Sequence, residues 1–134
     1  MNNVKVLFRS SAGGVEFRKI YDGKMQKRRE TVTITYDETD ENGVTQTEIN
    51  IVGRDLVTVK RDGQFSNYLE FHEGYNFVGE YLTPYGKIPV EAFTKSLKVE
   101  FCDGFATVNA KYKSSLMGEI TENEFYFTVK ANEK

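Results

Sequence analysis

An alternation of apolar and polar residues, cut at short intervals by turn dipeptides, constrains this chain more than any other feature. In Thr31-Val32-Thr33-Ile34-Thr35-Tyr36 the apolar side chains fall on one face and the threonines on the other. Nearly every residue of that run is β-branched or aromatic, which suits a pleated, half-buried surface. The same period of two recurs at Val4/Val6/Phe8, Val57/Val59, Phe65/Leu69/Phe71, Tyr75/Phe77/Tyr81 and Ile88/Val90/Ala92. It continues at Leu97/Val99/Phe101, Val108/Ala110/Tyr112 and Phe125/Phe127/Val129. A helix needs apolar spacings of three and four, and no window sustains them. Asp22-Gly23, Asn42-Gly43, Asp62-Gly63 and Asp103-Gly104 are dipeptides that accept positive φ and close two-residue hairpins. Gly13-Gly14, Glu73-Gly74 and Pro84-Tyr85-Gly86 read as further reversals. Connections this short leave no chain for long crossovers, so each strand pairs with its neighbour in sequence. An up-and-down sheet of so many twisted strands closes on itself and removes its edges. The expected fold is therefore all-β: one domain over residues 1–134, an antiparallel meander barrel of about eight to ten strands. Two sheets joined by Greek-key connections are the structural alternative.

Composition narrows function mainly by exclusion. Eighteen basic residues against twenty acidic ones give a formal charge of −2, which argues against a protein built to grip nucleic acid. A single His (His72) excludes multi-histidine metal sites, and a single Cys (Cys102) excludes an internal disulfide. The N-terminus is broken by Lys5 and Arg9 and reads as no signal peptide, and no run approaches the ~20 apolar residues of a membrane helix. The expected setting is cytoplasmic, with no membrane association.

Several clusters invite chemistry and read more simply as surface. Glu38, Asp40, Asn42 and Gly43 imitate a calcium loop, but the first position is Glu and residue 49 is Ile where a bidentate Glu belongs. The tract is expected to be a hydrated hairpin tip. Lys24-Met25-Gln26-Lys27-Arg28-Arg29 is the densest basic run, expected to be a solvated strand or loop. His72 falls off the core phase beside a turn, and Cys102 is expected to fill a strand end. Glu70, Glu80, Glu91 and Glu100 sit on the outward phase. No catalytic constellation emerges, and the chain is expected not to be an enzyme and to need neither metal nor cofactor.

Most of the chain resembles a known family, residues before about 30 only in general character. The residues concerned are Arg61-Asp62-Gly63, Tyr68-Leu69-Glu70-Phe71-His72-Glu73-Gly74, Gly79-Glu80-Tyr81-Leu82-Thr83-Pro84-Tyr85-Gly86 and Phe93-Thr94. Upstream, Thr33-Ile34-Thr35-Tyr36-Asp37-Glu38 sits where such proteins carry a strand ending in Tyr-x-Glu. These features resemble the YwiB-like family of uncharacterised bacterial proteins. The resemblance implies a calycin-like barrel, similar in architecture to lipocalins and fatty-acid-binding proteins. It implies no activity and no site residues, and the lipocalin Gly-x-Trp signature is missing because the chain has no Trp.

One polar set shares the inward phase. Tyr36 follows Val32 and Ile34, Arg61 follows Val57 and Val59, Tyr81 follows Tyr75 and Phe77, and Tyr112 follows Val108 and Ala110. At strand ends these groups would ring a barrel mouth, where an Arg and phenols can hold a polar head above an apolar interior. The expected function is non-catalytic binding of a small amphipathic or anionic molecule through Arg61, Tyr36, Tyr81 and Tyr112. The alternative is a structural or protein–protein interaction module with a solid core, acting through an outer face or a homodimer interface.

Overall fold

The computed structural model describes residues 2–41, 43–102 and 105–131. Ten strands follow one another: β1 (Asn2–Ala12), β2 (Val15–Arg28), β3 (Thr31–Asp40), β4 (Gly43–Val52) and β5 (Leu56–Asp62). Then come β6 (Asn67–Phe71), β7 (Asn76–Thr83), β8 (Gly86–Cys102), β9 (Phe105–Leu116) and β10 (Glu119–Ala131). All pairings are antiparallel, in the order β6-β5-β4-β3-β2-β1-β10-β9-β8-β7. The expected meander is present, and the last strand closes on the first through a ladder from Val4↔Ala131 to Ala12↔Asn123. No helix long and apolar enough to cross a membrane occurs among the described residues.

One neighbour pairing fails. β6 and β7 are consecutive, yet they form the two edges of the sheet. A single bridge, Ser66 with Leu82, joins that region, with N···O distances of 2.9 and 2.7 Å. Aromatic rings fill the rest of the seam: Tyr68 meets Phe77 edge-on at 5.7 Å, and Phe65 meets Tyr81 edge-on at 6.3 Å. The barrel is thus nearly closed, with its seam in the middle of the chain.

The turns bear out part of the sequence reading. Gly13 and Gly14 have φ of 58° and 86°, the doubly positive pair of a tight hairpin turn. Asp22-Gly23 does not turn at all; it lies within β2, paired to β1 on one side and β3 on the other. A Cβ on Gly23 would sit 2.7 Å from the Thr35 carbonyl oxygen, so this glycine serves close backbone approach. The actual β2–β3 reversal is Arg29-Glu30, with Arg29 at a φ of 54°. Asp62-Gly63 is also not a two-residue turn. It opens the longer Gly63–Ser66 connection, where the Gly63 amide donates to Ser66 Oγ at 3.2 Å. Asn42, the Asp103-Gly104 dipeptide and the Cys102 side chain lie outside the described residues.

The core follows from alternation. Val4, Val6, Ile34, Ile49, Ile51, Val57, Val108, Phe127 and Val129 are almost wholly buried. In β8 the inward phase changes from Val90, Ala92 and Thr94 to Leu97 and Val99, and a bulge between Thr94 and Ser96 absorbs the extra residue. Thr94 is fully buried and its hydroxyl has no hydrogen-bond partner. An unmet buried hydroxyl is unfavourable, so Thr94→Val is expected to raise unfolding free energy by about 1 kcal/mol, read from the urea midpoint.

Candidate functional site

The barrel interior is not packed solid. A cavity of about 350 Å³ is bounded by the apolar side chains of Phe8, Ile49, Val59, Leu69, Phe71 and Phe127. Its polar end carries Ser10, Tyr36, Glu38, Arg61, Asn67 and Tyr112. That end lies where two strands part. β2 pairs with β3 only from Gly23↔Tyr36 to Arg28↔Thr31, so the first half of β2 and the last residues of β3 diverge. Phe17 of β2 stands beside this opening, 47% exposed.

Three of the four sequence-derived residues meet here. Tyr36 and Tyr112 come inward on β3 and β9, and Arg61 comes inward from the end of β5. Tyr81 does not join them. Its phase is inward, but β7 is the edge at the seam, and its ring is spent against Phe65.

Glu38, expected from its acidic neighbours to belong to a hydrated hairpin tip, organises the polar end. Its Oε1 accepts from the Tyr21 hydroxyl at 2.9 Å and its Oε2 from the Thr47 hydroxyl at 2.6 Å. Arg61 Nε lies 3.3 Å from the same Oε2. The pair is held by charge, because that N–H is buried without an aligned acceptor. Tyr21 and Tyr36 stack with ring centroids 4.4 Å apart. The period of two carries the missed signal: Val32, Ile34, Tyr36 and Glu38 share one phase, as do Thr47, Ile49 and Ile51. Tyr112 turns its ring edge-on to Phe71 at 4.8 Å, and Phe71 meets Phe125 at 4.9 Å.

The tyrosines report this environment. Burial, then the Glu38 charge, pushes the Tyr36 phenol up to about 12, with Arg61 and Thr47 acting in the opposite direction. Burial followed by the bond to Glu38 raises Tyr21 further still. Burial raises Tyr112, and Arg61 partly offsets it. Unfolded tyrosines ionise near 10, so above that pH the unfolded chain loses protons that the folded chain keeps. Stability from these phenols is complete below about pH 10 and declines as pH climbs toward about 12. Phenolate absorbance is expected to rise in two phases, the later one coinciding with loss of near-ultraviolet circular dichroism. A single step near pH 10 with the fold intact would contradict buried phenols.

The other sequence clusters stay outside. His72, Glu80, Glu91 and Glu100 are exposed, and half-buried Glu70 accepts from the Tyr68 hydroxyl at 2.7 Å. Among the described residues, no three His, Cys, Asp or Glu side chains gather closely enough to hold a metal ion.

Comparison with known proteins agrees with the architecture. The crystal structure of the YwiB protein from Bacillus subtilis superposes with a TM-score of 0.83, covering 98% of this chain and 93% of that one. The two sequences are 17% identical, so the likeness concerns the fold. No curated protein matches the chain. Residues 5–126 match the domain of unknown function DUF1934, and the chain belongs to that family.

Proposed function

We propose that this chain is a non-catalytic binding protein whose barrel takes one small amphipathic molecule, in the manner of calycin-like carriers. The observation that carries this reading is the cavity of about 350 Å³, apolar along its walls and polar at one end. Ligand sites of small proteins share that size and that division of surface. A ligand's apolar body would lie against Phe8, Phe71 and Phe127. Its head would reach the exposed part of the Arg61 guanidinium and the Tyr36 and Tyr112 hydroxyls.

Glu38 refines the head-group chemistry. Its carboxylate already faces the Arg61 guanidinium, so the polar end carries no surplus positive charge. That balance favours a neutral acceptor, such as a carbonyl, over a full anion. We place this function in the cytosol, where a lone thiol such as Cys102 stays reduced.

Two probes test the reading. A neutral naphthyl ketone such as 6-propionyl-2-dimethylaminonaphthalene is expected to bind with a blue-shifted emission, and anilinonaphthalene sulfonate to bind more weakly. Val59→Phe puts a ring into the cavity and is expected to weaken the ketone about tenfold or more while circular dichroism is kept. A wild-type protein blind to both probes, and free of any retained small molecule by native mass spectrometry, would refute the proposal. A barrel acting only through its exterior predicts that outcome.

A further inference from the structure

The divergence of β2 from β3 leaves an open sheet edge. Residues Val15–Asp22 pair with β1 and with no other strand. Everything from Val15 to Ile20 is exposed, including Val15 at 73%, Phe17 at 47% and Ile20 at 62%. An unpaired edge with exposed apolar side chains is a template for another strand.

The backbone direction follows from the two flanking turns. Ala12↔Val15 closes the two-residue β1–β2 turn, so odd-numbered residues of β2 exchange hydrogen bonds with β1. Arg28↔Thr31 closes the β2–β3 turn, so even-numbered ones face the β3 side. Between Val15 and Asp22, the backbone groups of Glu16, Arg18 and Ile20 therefore point into open space.

The charges on this edge are unsettled within one chain. Arg18 stands directly opposite Arg9, a like-charge cross-strand pair, and Arg9 turns its guanidinium over the Tyr126 ring at 5.2 Å. Neither Arg18 nor Glu16 has an ion-pair partner among the described residues.

We infer that the Val15–Ile20 edge of β2 pairs antiparallel with the same edge of a second copy of this chain, Glu16 opposite the partner's Arg18. In that register the two-fold axis passes Phe17 against the partner's Phe17. Each Arg18 gains the carboxylate that its own sheet denies it, and about four main-chain hydrogen bonds form. The neighbouring registers fail on charge: one sets Arg18 against Arg18, another Lys19 against Lys19, a third Glu16 against Glu16. Sliding further toward Gly23 drives the partner into β3, which already occupies that position. The inference stands whether or not the cavity holds a ligand.

Sedimentation velocity from micromolar to submillimolar concentration tests it. The wild-type chain is expected to dimerise, and either Glu16→Arg or Arg18→Glu alone to weaken dimerisation about a hundredfold, since each sets two like-charge pairs across the axis. The double variant carrying both changes is expected to restore it. Arg18→Glu meets Arg9 within its own sheet, so the fold is retained. Amide exchange on the unaltered protein adds an independent readout: the Arg18 N–H is expected to slow with concentration. A monomer throughout, a dimer indifferent to both reversals, a double variant no better than the singles, or an Arg18 amide indifferent to concentration would each overturn the pairing.

Discussion

Phe127→Ala is expected to lower unfolding free energy by about 3–5 kcal/mol, more than truncation of any aliphatic core residue of the barrel. Phe127 is fully buried on β10, opposite Phe8 on one side and Val108 on the other. Its ring stacks against Phe125 at 5.9 Å and Phe8 at 6.4 Å. Truncation removes the transfer free energy of a buried ring and leaves a void that joins the existing cavity. Both strands flanking β10 are fully laddered, so the wall has no freedom to collapse inward. Urea denaturation provides the measurement, with a shifted midpoint and an unchanged slope. A loss under about 1 kcal/mol would mean that this ring is not packed as described.

Glu38→Ala is expected to reduce stability by about 2–3 kcal/mol and, in the opposite direction, to strengthen binding of anionic probes. Three donors converge on this carboxylate: the Tyr21 and Thr47 hydroxyls and, by charge, Arg61. Deleting it leaves them without their acceptor in a half-buried setting. Arg61 is 38% exposed, so water softens its share of the loss. The same deletion turns a neutral polar end into a cationic one, and anilinonaphthalene sulfonate should gain affinity where the neutral ketone does not. The Tyr21 phenol should also ionise at lower pH, because the carboxylate that holds its proton is gone. Stability unchanged by the substitution would mean that Glu38 is a solvated surface charge.

The strands were legible because alternation records a half-buried sheet directly in residue order. Less legible was what lies beside each strand. Period two places Tyr81 on the inward face correctly, yet says nothing of β7 being an edge, so the expected cavity residue belongs to the seam. Gly23 misleads because one residue type answers two needs: left-handed turns and close backbone approach. The Thr35 carbonyl that requires it comes from the next strand, beyond any local window. Glu38 was hidden by its neighbours. Read within Asp37–Gly43 it is one charge in an acidic run; read with Val32, Ile34 and Tyr36 it continues the inward row. Lack of local glycine likewise concealed the reversal at Arg29, whose left-handed backbone is set by the ladders on either side.

Where the seam falls has a consequence for how the chain can be rewired. The ladder between β1 and β10 unites segments more remote in sequence than any other pair, while the loop at Glu73-Gly74 crosses the one junction held by a single bridge. A circular permutant opened at that loop, with a short linker from residue 131 to residue 2, would preserve every ladder. It would also make the β1–β10 contact local, and so should reach the native state faster than the natural order, whose β1–β10 closure must await the most distant encounter.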